Sequence, residues 1–165
     1  MAANVLDRFE FRSVRVNEAE EVAEIEKICF PPHEVCSKKD MFERVEHAPE
    51  LFLVAVDKET GTIAGFLNGL ATDEEAFRDE FFTDITVHNP EGKNIFLLGL
   101  DVRPEYRRQG LAREIMNQYV KREQANGRKM LKLTCLEQKV EMYKDEGISA
   151  SVWGDEEWHE MSYAF

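Results

Sequence analysis

Hydrophobic and polar residues follow two periodicities along the chain, one typical of strands and the other of helices. Segments that alternate, or that are continuously apolar, predict strands at 10–16, 51–56, 62–71, 95–102, 129–135, 148–153 and 158–165. Segments with apolar positions three or four residues apart predict amphipathic helices at 17–29, 37–48, 73–82, 110–126 and 138–145. This order favours an α/β fold, a single domain over residues 1–165 with one mixed sheet of about seven strands covered by helices.

Composition and charge narrow the range of partners. No apolar run approaches the roughly 20 residues of a membrane-spanning helix, and residues 1–11 lack the pattern of a secretion signal. Three cysteines, without CxxC or zinc-ligand spacing, argue against a disulfide framework or a metal site. The formal net charge of −12 opposes binding to nucleic acid, which attracts basic patches. We therefore expect a soluble, cytoplasmic protein without nucleic-acid or membrane partners; its acidity suits a small cationic ligand or serves only solubility.

A basic turn that contains a glycine joins a predicted buried strand to a predicted helix at residues 100–112, LDVRPEYRRQGLA. The first N–H groups of a helix have no partner within it and point outward with the positive end of the helix dipole, so they bind phosphate oxygens. Gly110 lets a ligand approach the backbone without a Cβ in the way, and Arg107 and Arg108 add positive charge. The turn predicts a phosphate site; the alternative is an ordinary strand-to-helix corner with solvated arginines.

The segment Arg107-Arg108-Gln109-Gly110-Leu111-Ala112 resembles the (Q/R)xxGx(G/A) motif of the GNAT superfamily of N-acetyltransferases. The resemblance implies acetyl-CoA as the cofactor, with its pyrophosphate on residues 107–112 and its pantetheine arm on the backbone of Leu100-Asp101-Val102. It also implies the GNAT fold, a mostly antiparallel mixed sheet that is splayed between its fourth and fifth strands. A second segment, VEMYKDEG at 140–147, is similar to the family's tyrosine-bearing segment and assigns Tyr143 the role of general acid.

Several shorter stretches resemble the arylalkylamine (serotonin) N-acetyltransferase branch. These are Phe30 with Cys36, APEL at 48–51, TVH at 86–88, VEMY at 140–143 and WHEM at 158–161. The likeness implies a small arylalkyl amine as the substrate, with Phe30 and Trp158 in the wall of its pocket and the loop 31–37 closing over it. Either aromatic, taken singly, is equally well explained by packing in the core.

The branch's two histidines on the strand before the turn are replaced here by Phe96 and Leu98. An alkylamine has a pKa near that of lysine, about 10.4, so only about one molecule in two thousand is neutral near pH 7. Some group must therefore accept the proton of the amine. The candidates are His88, His159, Glu160 and a chain of water molecules, and the sequence does not choose among them.

The expected reaction is direct attack of a primary amine on the acetyl thioester, with Tyr143 sharing its proton with the departing sulfur. No cysteine is paired with a histidine in a pattern that predicts a covalent intermediate. The predicted protein is thus an acetyl-CoA-dependent N-acetyltransferase, monomeric or homodimeric. The alternatives are an enzyme that acts on a peptide, protein or polyamine amine, and a non-catalytic acyl-CoA-binding regulatory protein.

Overall fold

The computed structural model describes residues 5–30, 32, 35–76, 78–136, 149–152 and 158–165. Within these residues there are seven strands: β1 (Phe9–Ser13), β2 (Phe52–Asp57), β3 (Ile63–Thr72), β4 (Asn94–Val102), β5 (Met130–Leu136), β6 (Ser149–Val152) and β7 (Trp158–Ala164). The α-helices of the same residues are α1 (Val5–Arg8), α2 (Ala19–Cys29), α3 (Lys38–His47), α4 (Glu80–Thr83) and α5 (Leu111–Ala125). Short 3₁₀ turns lie at Val16–Glu18, Pro49–Leu51, Ile85–Val87 and Pro104–Tyr106.

All strands form one sheet in the order β1-β2-β3-β4-β5-β7-β6. Neighbouring strands are antiparallel except β4 and β5, which are parallel and pair only from Asn94 with Met130 to Phe96 with Lys132. Beyond that point β4 stays paired with β3 as far as Val102, whereas β5 follows β7 as far as Leu136. The two strands therefore diverge and leave a cleft, which confirms the predicted mixed, mostly antiparallel sheet splayed at its fourth and fifth strands.

Helices cover both faces of the sheet because alternate strand residues point to opposite sides. In β2, Leu53 and Ala55 belong to the core cluster beneath α5, and Phe52, Val54 and Val56 belong to the cluster beneath α2 and α3. The complete burial of β2 and β3 follows from this two-sided covering, as the continuous apolar pattern of residues 51–56 predicts.

The observed helix α3 begins and ends where the sequence predicts. Ser37 is its N-cap, and the Ser37 hydroxyl accepts a 3.0 Å hydrogen bond from the backbone N–H of Asp40. The helix stops at His47, before Pro49, which cannot continue a helix. This helix holds the buried side chain of Arg44 against the sheet.

The helix predicted over 73–82 is wrong for most of its length, since only Glu80–Thr83 is helical. The backbone before it is held by other partners: the Thr72 hydroxyl accepts from Glu74 N–H at 3.1 Å, and the Asn94 amide donates to the Glu74 carbonyl at 2.9 Å. These tertiary hydrogen bonds replace those of a helical turn. The helix predicted over 138–145 lies outside the described residues, and none of the described helices is long and apolar enough to cross a membrane.

Candidate active site

The floor of the cleft is a bulge in β4. The pairing of β3 with β4 shifts register between Asn68–Gly99 and Gly69–Leu97, which leaves Leu98 as an extra residue. Leu98, Gly99 and Leu100 are partly exposed, while the other residues of β4 are buried. Since β5 pairs with β4 only as far as Phe96, the β5-facing edge of residues 97–102 has no strand partner among the described residues. Its backbone groups can therefore bind a ligand that lies along the strand.

The turn after β4 leads directly into the start of α5. Arg108 and Gly110 have positive φ angles of 63° and 81°, and Gly110 is the N-cap of α5, where no side-chain hydrogen bond closes the helix end. A Cβ built on Gly110 meets nothing within 4 Å, so the space in front of the first helical amides is open. The geometry is that of an anion site at a helix N-terminus. Leu111 is buried in the core, where it fixes the first turn, and Ala112 is half-buried beside it.

The polar side chains of the turn have different partners. Arg107 points back to β4: its Nε donates to the carbonyl of Val102 at 3.0 Å, and its Nη2 lies 3.6 Å from the Cys29 sulfur. The side chain of Arg108 is exposed. Gln109 Oε1 lies 3.5 Å from Nη1 of Arg8 on α1. Arg107 thus braces the turn, and the exposed Arg108 adds positive charge at its surface.

A cavity of about 480 Å³ lies beside α2 and the loop that follows it. Phe30, an expected pocket residue, lines it together with Ala23, Lys27, Val35 and Cys36. The structure does not describe where the side chains of the other two predicted site residues, Trp158 and Tyr143, lie relative to this cavity. Trp158 opens β7 opposite Leu136, but its side chain is not described, and Tyr143 lies outside the described residues.

The positions of the branch's two histidines are filled by an apolar cluster. Phe96 is fully buried and packs on Phe81 with ring centroids 4.8 Å apart, and Leu98 packs against the same cluster. His88 is fixed away from the bulge, because its Nδ1 accepts from Ala71 N–H at 3.0 Å and Ala71 pairs with Ile95. His88 therefore holds the loop after Val87 to β3. His159 and Glu160 lie on β7 opposite β5, and the structure describes their backbone but not their side chains.

Two buried acids at the bulge are the site feature that the sequence prediction misses. Asp101, expected to contribute only backbone, is 1% exposed, and Glu26 of α2 is 4% exposed. Neither carboxylate oxygen of Asp101 receives a hydrogen bond from a donor in the described residues. Burial and the charge of the neighbouring Glu26 raise the pKa of Asp101 well above its ordinary value. A signal existed: Glu26 follows Val22 by four residues and so lies on the apolar side of its helix.

Neither of the two cysteines whose side chains are described has the environment of a nucleophile. Cys29 and Cys36 are free thiols. Burial raises the pKa of Cys29, and it raises that of Cys36 to about 11. Within the described part of the chain, no group of three or more His, Cys, Asp or Glu side chains could hold a metal ion.

The sheet that diverges after its fourth strand and the helix N-terminus without a side-chain cap define the class of this α/β domain. The chain belongs to the acetyltransferase (GNAT) family, whose model matches residues 19–147. This assignment includes β4, the turn and α5, and it confirms the superfamily resemblance of the 107–112 motif.

Individual proteins that resemble this chain carry different descriptions. A Bacillus subtilis protein described as "Probable hydrolase YhcX" is 30% identical over 114 residues, which are 62% of this chain and 22% of that protein. The chain thus matches about a fifth of the length of this curated relative. The loading GNATL domain of CurA from Lyngbya majuscula superposes with a TM-score of 0.79 at 12% identity, covering 94% of this chain and 97% of that one. The PaiA N-acetyltransferase from Thermoplasma acidophilum, solved with coenzyme A, gives 0.70 at 15% identity, covering 95% and 99%.

Proposed function

We propose that this chain is an acetyl-CoA-dependent N-acetyltransferase that acts on the primary amine of a small arylalkyl amine. The observation that carries the proposal is the uncapped start of α5 at Gly110, which follows a strand that has no β5-side strand partner from residue 97 onward within the described residues. These two features are what a diphosphate with a long amide-containing arm requires. The family match over 19–147 and the coenzyme A in the PaiA structure support the same cofactor.

Residues of the turn and of β4 would hold the cofactor by backbone contacts. The amides of residues 108–112 would bind the pyrophosphate, with Arg108 adding charge, while Arg107 keeps the turn closed through the Val102 carbonyl. The β5-facing backbone groups of Leu100-Asp101-Val102 would accept and donate the hydrogen bonds of the pantetheine amides, apart from the Val102 carbonyl that accepts from Arg107. Acetyl-CoA supplies the thioester that the amine attacks.

The acceptor amine would enter from the side of α2. The cavity beside Phe30 has the size of small-molecule sites, which range from about 300 to 1,000 Å³. Phe30 and Trp158 would contact the aromatic part of the amine, and the net charge of −12 would attract its ammonium group. Tyr143 would donate a proton to the sulfur as the C–S bond breaks, because a thiolate is a poorer leaving group than a thiol.

The apolar cluster at Phe96 and Leu98 favours a second candidate, a non-catalytic acyl-CoA-binding regulatory protein. Without the two histidines, an alkylamine has no base at those positions. The enzyme and the regulatory protein would bind the cofactor in the same way, so a measurement of amine acetylation distinguishes them. An enzyme acting on a peptide amine or a polyamine is distinguished from the first proposal only by substrate preference.

The test has two parts. Calorimetry with coenzyme A on the purified protein should show binding at one site per chain; no measurable binding contradicts both candidates. The protein is then assayed for CoA release from acetyl-CoA with a panel containing an arylalkylamine, a polyamine, a peptide with a free N-terminus and an aniline. Release with the arylalkylamine alone supports the proposal, preference for the peptide or polyamine reassigns the substrate, and binding without release favours the regulatory protein.

A further inference from the structure

The carboxyl groups of Glu26 and Asp101 lie together in the interior although one is on α2 and the other on β4. Two buried carboxylates repel each other and lose their hydration, so such a pair persists only if it holds a proton or serves a function. Glu26 Oε2 accepts a 3.1 Å hydrogen bond from the N–H of Cys36. Asp101 receives none from the described donors, and Glu26 is the carboxylate that acts on it most strongly.

The pair lies directly behind the exposed bulge of β4. A Cβ built on Gly99 would be 3.3 Å from Oδ1 of Asp101 and 3.7 Å from Oε1 of Glu26. Gly99 is itself partly exposed in the cleft. The absence of a side chain at this residue is thus what brings the two acids within reach of a group bound at the bulge.

We propose that Glu26 and Asp101 act as one carboxyl pair that accepts the proton of the attacking amine, in place of the histidines absent at Phe96 and Leu98. This inference rests on the proposed N-acetyltransferase function. The amine nitrogen forms a bond to the thioester carbon, and the C–S bond breaks. The proton of the nitrogen passes to the pair, directly or across one water molecule. The sulfur takes its own proton from Tyr143.

The charges around the pair favour a proton acceptor that is more basic than an ordinary carboxylate. The elevated pKa of Asp101 makes it a stronger base than an exposed carboxylate. Arg44 of α3 is the nearby cation: it partly offsets the elevation and is fixed by hydrogen bonds to Asn68 at 3.2 Å and to the Phe82 carbonyl at 2.8 Å. The thiols of Cys29 and Cys36 face the same region and carry no charge at neutral pH, since their pKa values are raised.

The pair predicts a specific dependence of kcat on pH. A group accepts a proton only in its ionised form, so kcat for an alkylamine should rise with pH as Asp101, whose pKa is raised, loses its proton. The midpoint should lie above the range of an ordinary carboxylate, about pH 4. Replacing Glu26 removes the charge that helps raise the pKa of Asp101, so the midpoint should then move to lower pH.

The experiment uses Glu26→Gln and Asp101→Asn, which keep the shape of each side chain, and Glu46→Gln as the matched control on the exposed side of α3. Each full-length protein is tested for coenzyme A binding by calorimetry, and kcat is measured from pH 5 to 10 with an alkylamine and with an aniline. The expected result is a loss of about 100-fold in kcat for the alkylamine with Glu26→Gln and Asp101→Asn. Binding of coenzyme A should be unchanged, and the aniline, already neutral at pH 7, should be affected much less.

The outcomes separate this inference from the function on which it rests. Wild-type turnover together with unchanged kcat and an unchanged pH profile in both variants overturns the carboxyl pair and leaves the acetyltransferase intact. A wild type that binds coenzyme A but acetylates no amine overturns both. Should a variant fail to fold, infrared spectroscopy of the wild type decides: a protonated-carboxyl band that disappears with the same midpoint as the rise in kcat supports the pair, and its absence over the whole range overturns it.

Discussion

The hydroxyl of Tyr106 donates a 2.8 Å hydrogen bond to the carboxylate of Asp57, and this contact ties the cofactor turn to the interior of the sheet. Asp57 is fully buried at the end of β2 and also accepts from Arg8 at 3.2 Å. Tyr106 belongs to the 3₁₀ turn between β4 and the motif, and its ring packs edge-on against Phe9. The turn that precedes α5 is thereby held against β2 through Asp57 and against β1 through Phe9.

Removing this anchor with Tyr106→Phe should loosen the turn. We expect a melting temperature lower by a few degrees and an affinity for coenzyme A weaker by several-fold, measured by thermal unfolding and calorimetry. The Tyr106 hydroxyl is the main cause that lowers the pKa of Asp57. The contribution of this hydrogen bond to folding stability is therefore present above the unfolded pKa of Asp57, about 4, and is lost as pH falls through the lower folded value. The stability difference between wild type and variant should therefore shrink as pH falls below the unfolded pKa of about 4.

Tyr163→Phe in β7 is the matched control for that change, because it removes a hydroxyl from the same sheet away from the turn. The control should bind coenzyme A as the wild type does. Equal affinity in wild type and Tyr106→Phe would show that the anchor has no part in holding the turn.

Replacing Gly110 with leucine should abolish most of the binding of coenzyme A. The φ of 81° costs a non-glycine residue roughly 1–2 kcal/mol, and the new side chain would occupy the open space before the α5 amides. We expect a Kd raised at least tenfold in calorimetry. Gly127→Leu is the control at the opposite end of α5, since Gly127 has a φ of 80° and also has open space around it. If both variants lose similar stability and only Gly110→Leu loses affinity for coenzyme A, the diphosphate binds at the start of α5. If the two variants bind coenzyme A with equal affinity, the diphosphate binds elsewhere.

Changing Tyr143 to phenylalanine tests the proposed general acid. A positioned acid contributes about 100- to 10,000-fold, or roughly 3 to 5 kcal/mol of barrier, so kcat should fall by that order while coenzyme A still binds. Steady-state kinetics of CoA release, with Tyr163→Phe as the control, measure the effect. An unchanged kcat rules out the role of Tyr143.

The cleft and the turn could be predicted from the sequence because their causes are local. A buried strand, a basic turn and the glycine at 110 lie next to one another in the chain, and the observed φ of Gly110 is one that glycine adopts readily. The start of α3 at Ser37 is predictable for the same reason, because the hydrogen bond from Asp40 N–H to the Ser37 hydroxyl lies within one helical turn.

Features made by distant contacts could not be predicted in the same way. The helix predicted over 73–82 is replaced by hydrogen bonds to Thr72 and Asn94, and Asn94 is brought there by the pairing of β3 with β4. The pairing of Glu26 with Asp101 likewise depends on α2 packing against β4. The position of Glu26 among apolar residues marks it as unusual, but its partner follows only from the fold.

Cys36 should react slowly with alkylating agents, which tests whether a covalent acyl-cysteine can form. Burial raises its pKa from 9.0 to about 11, and only the thiolate is nucleophilic. At pH 8 its rate with iodoacetamide, followed by mass spectrometry of the labelled peptide, should be about 100-fold below that of a small-peptide thiol and should rise about tenfold per pH unit up to about pH 11. The denatured protein is the control and should react at the ordinary rate. Alkylation of the folded protein at that same ordinary rate would mean that the thiolate is available at neutral pH, and direct attack of the amine would then have to compete with transfer through cysteine.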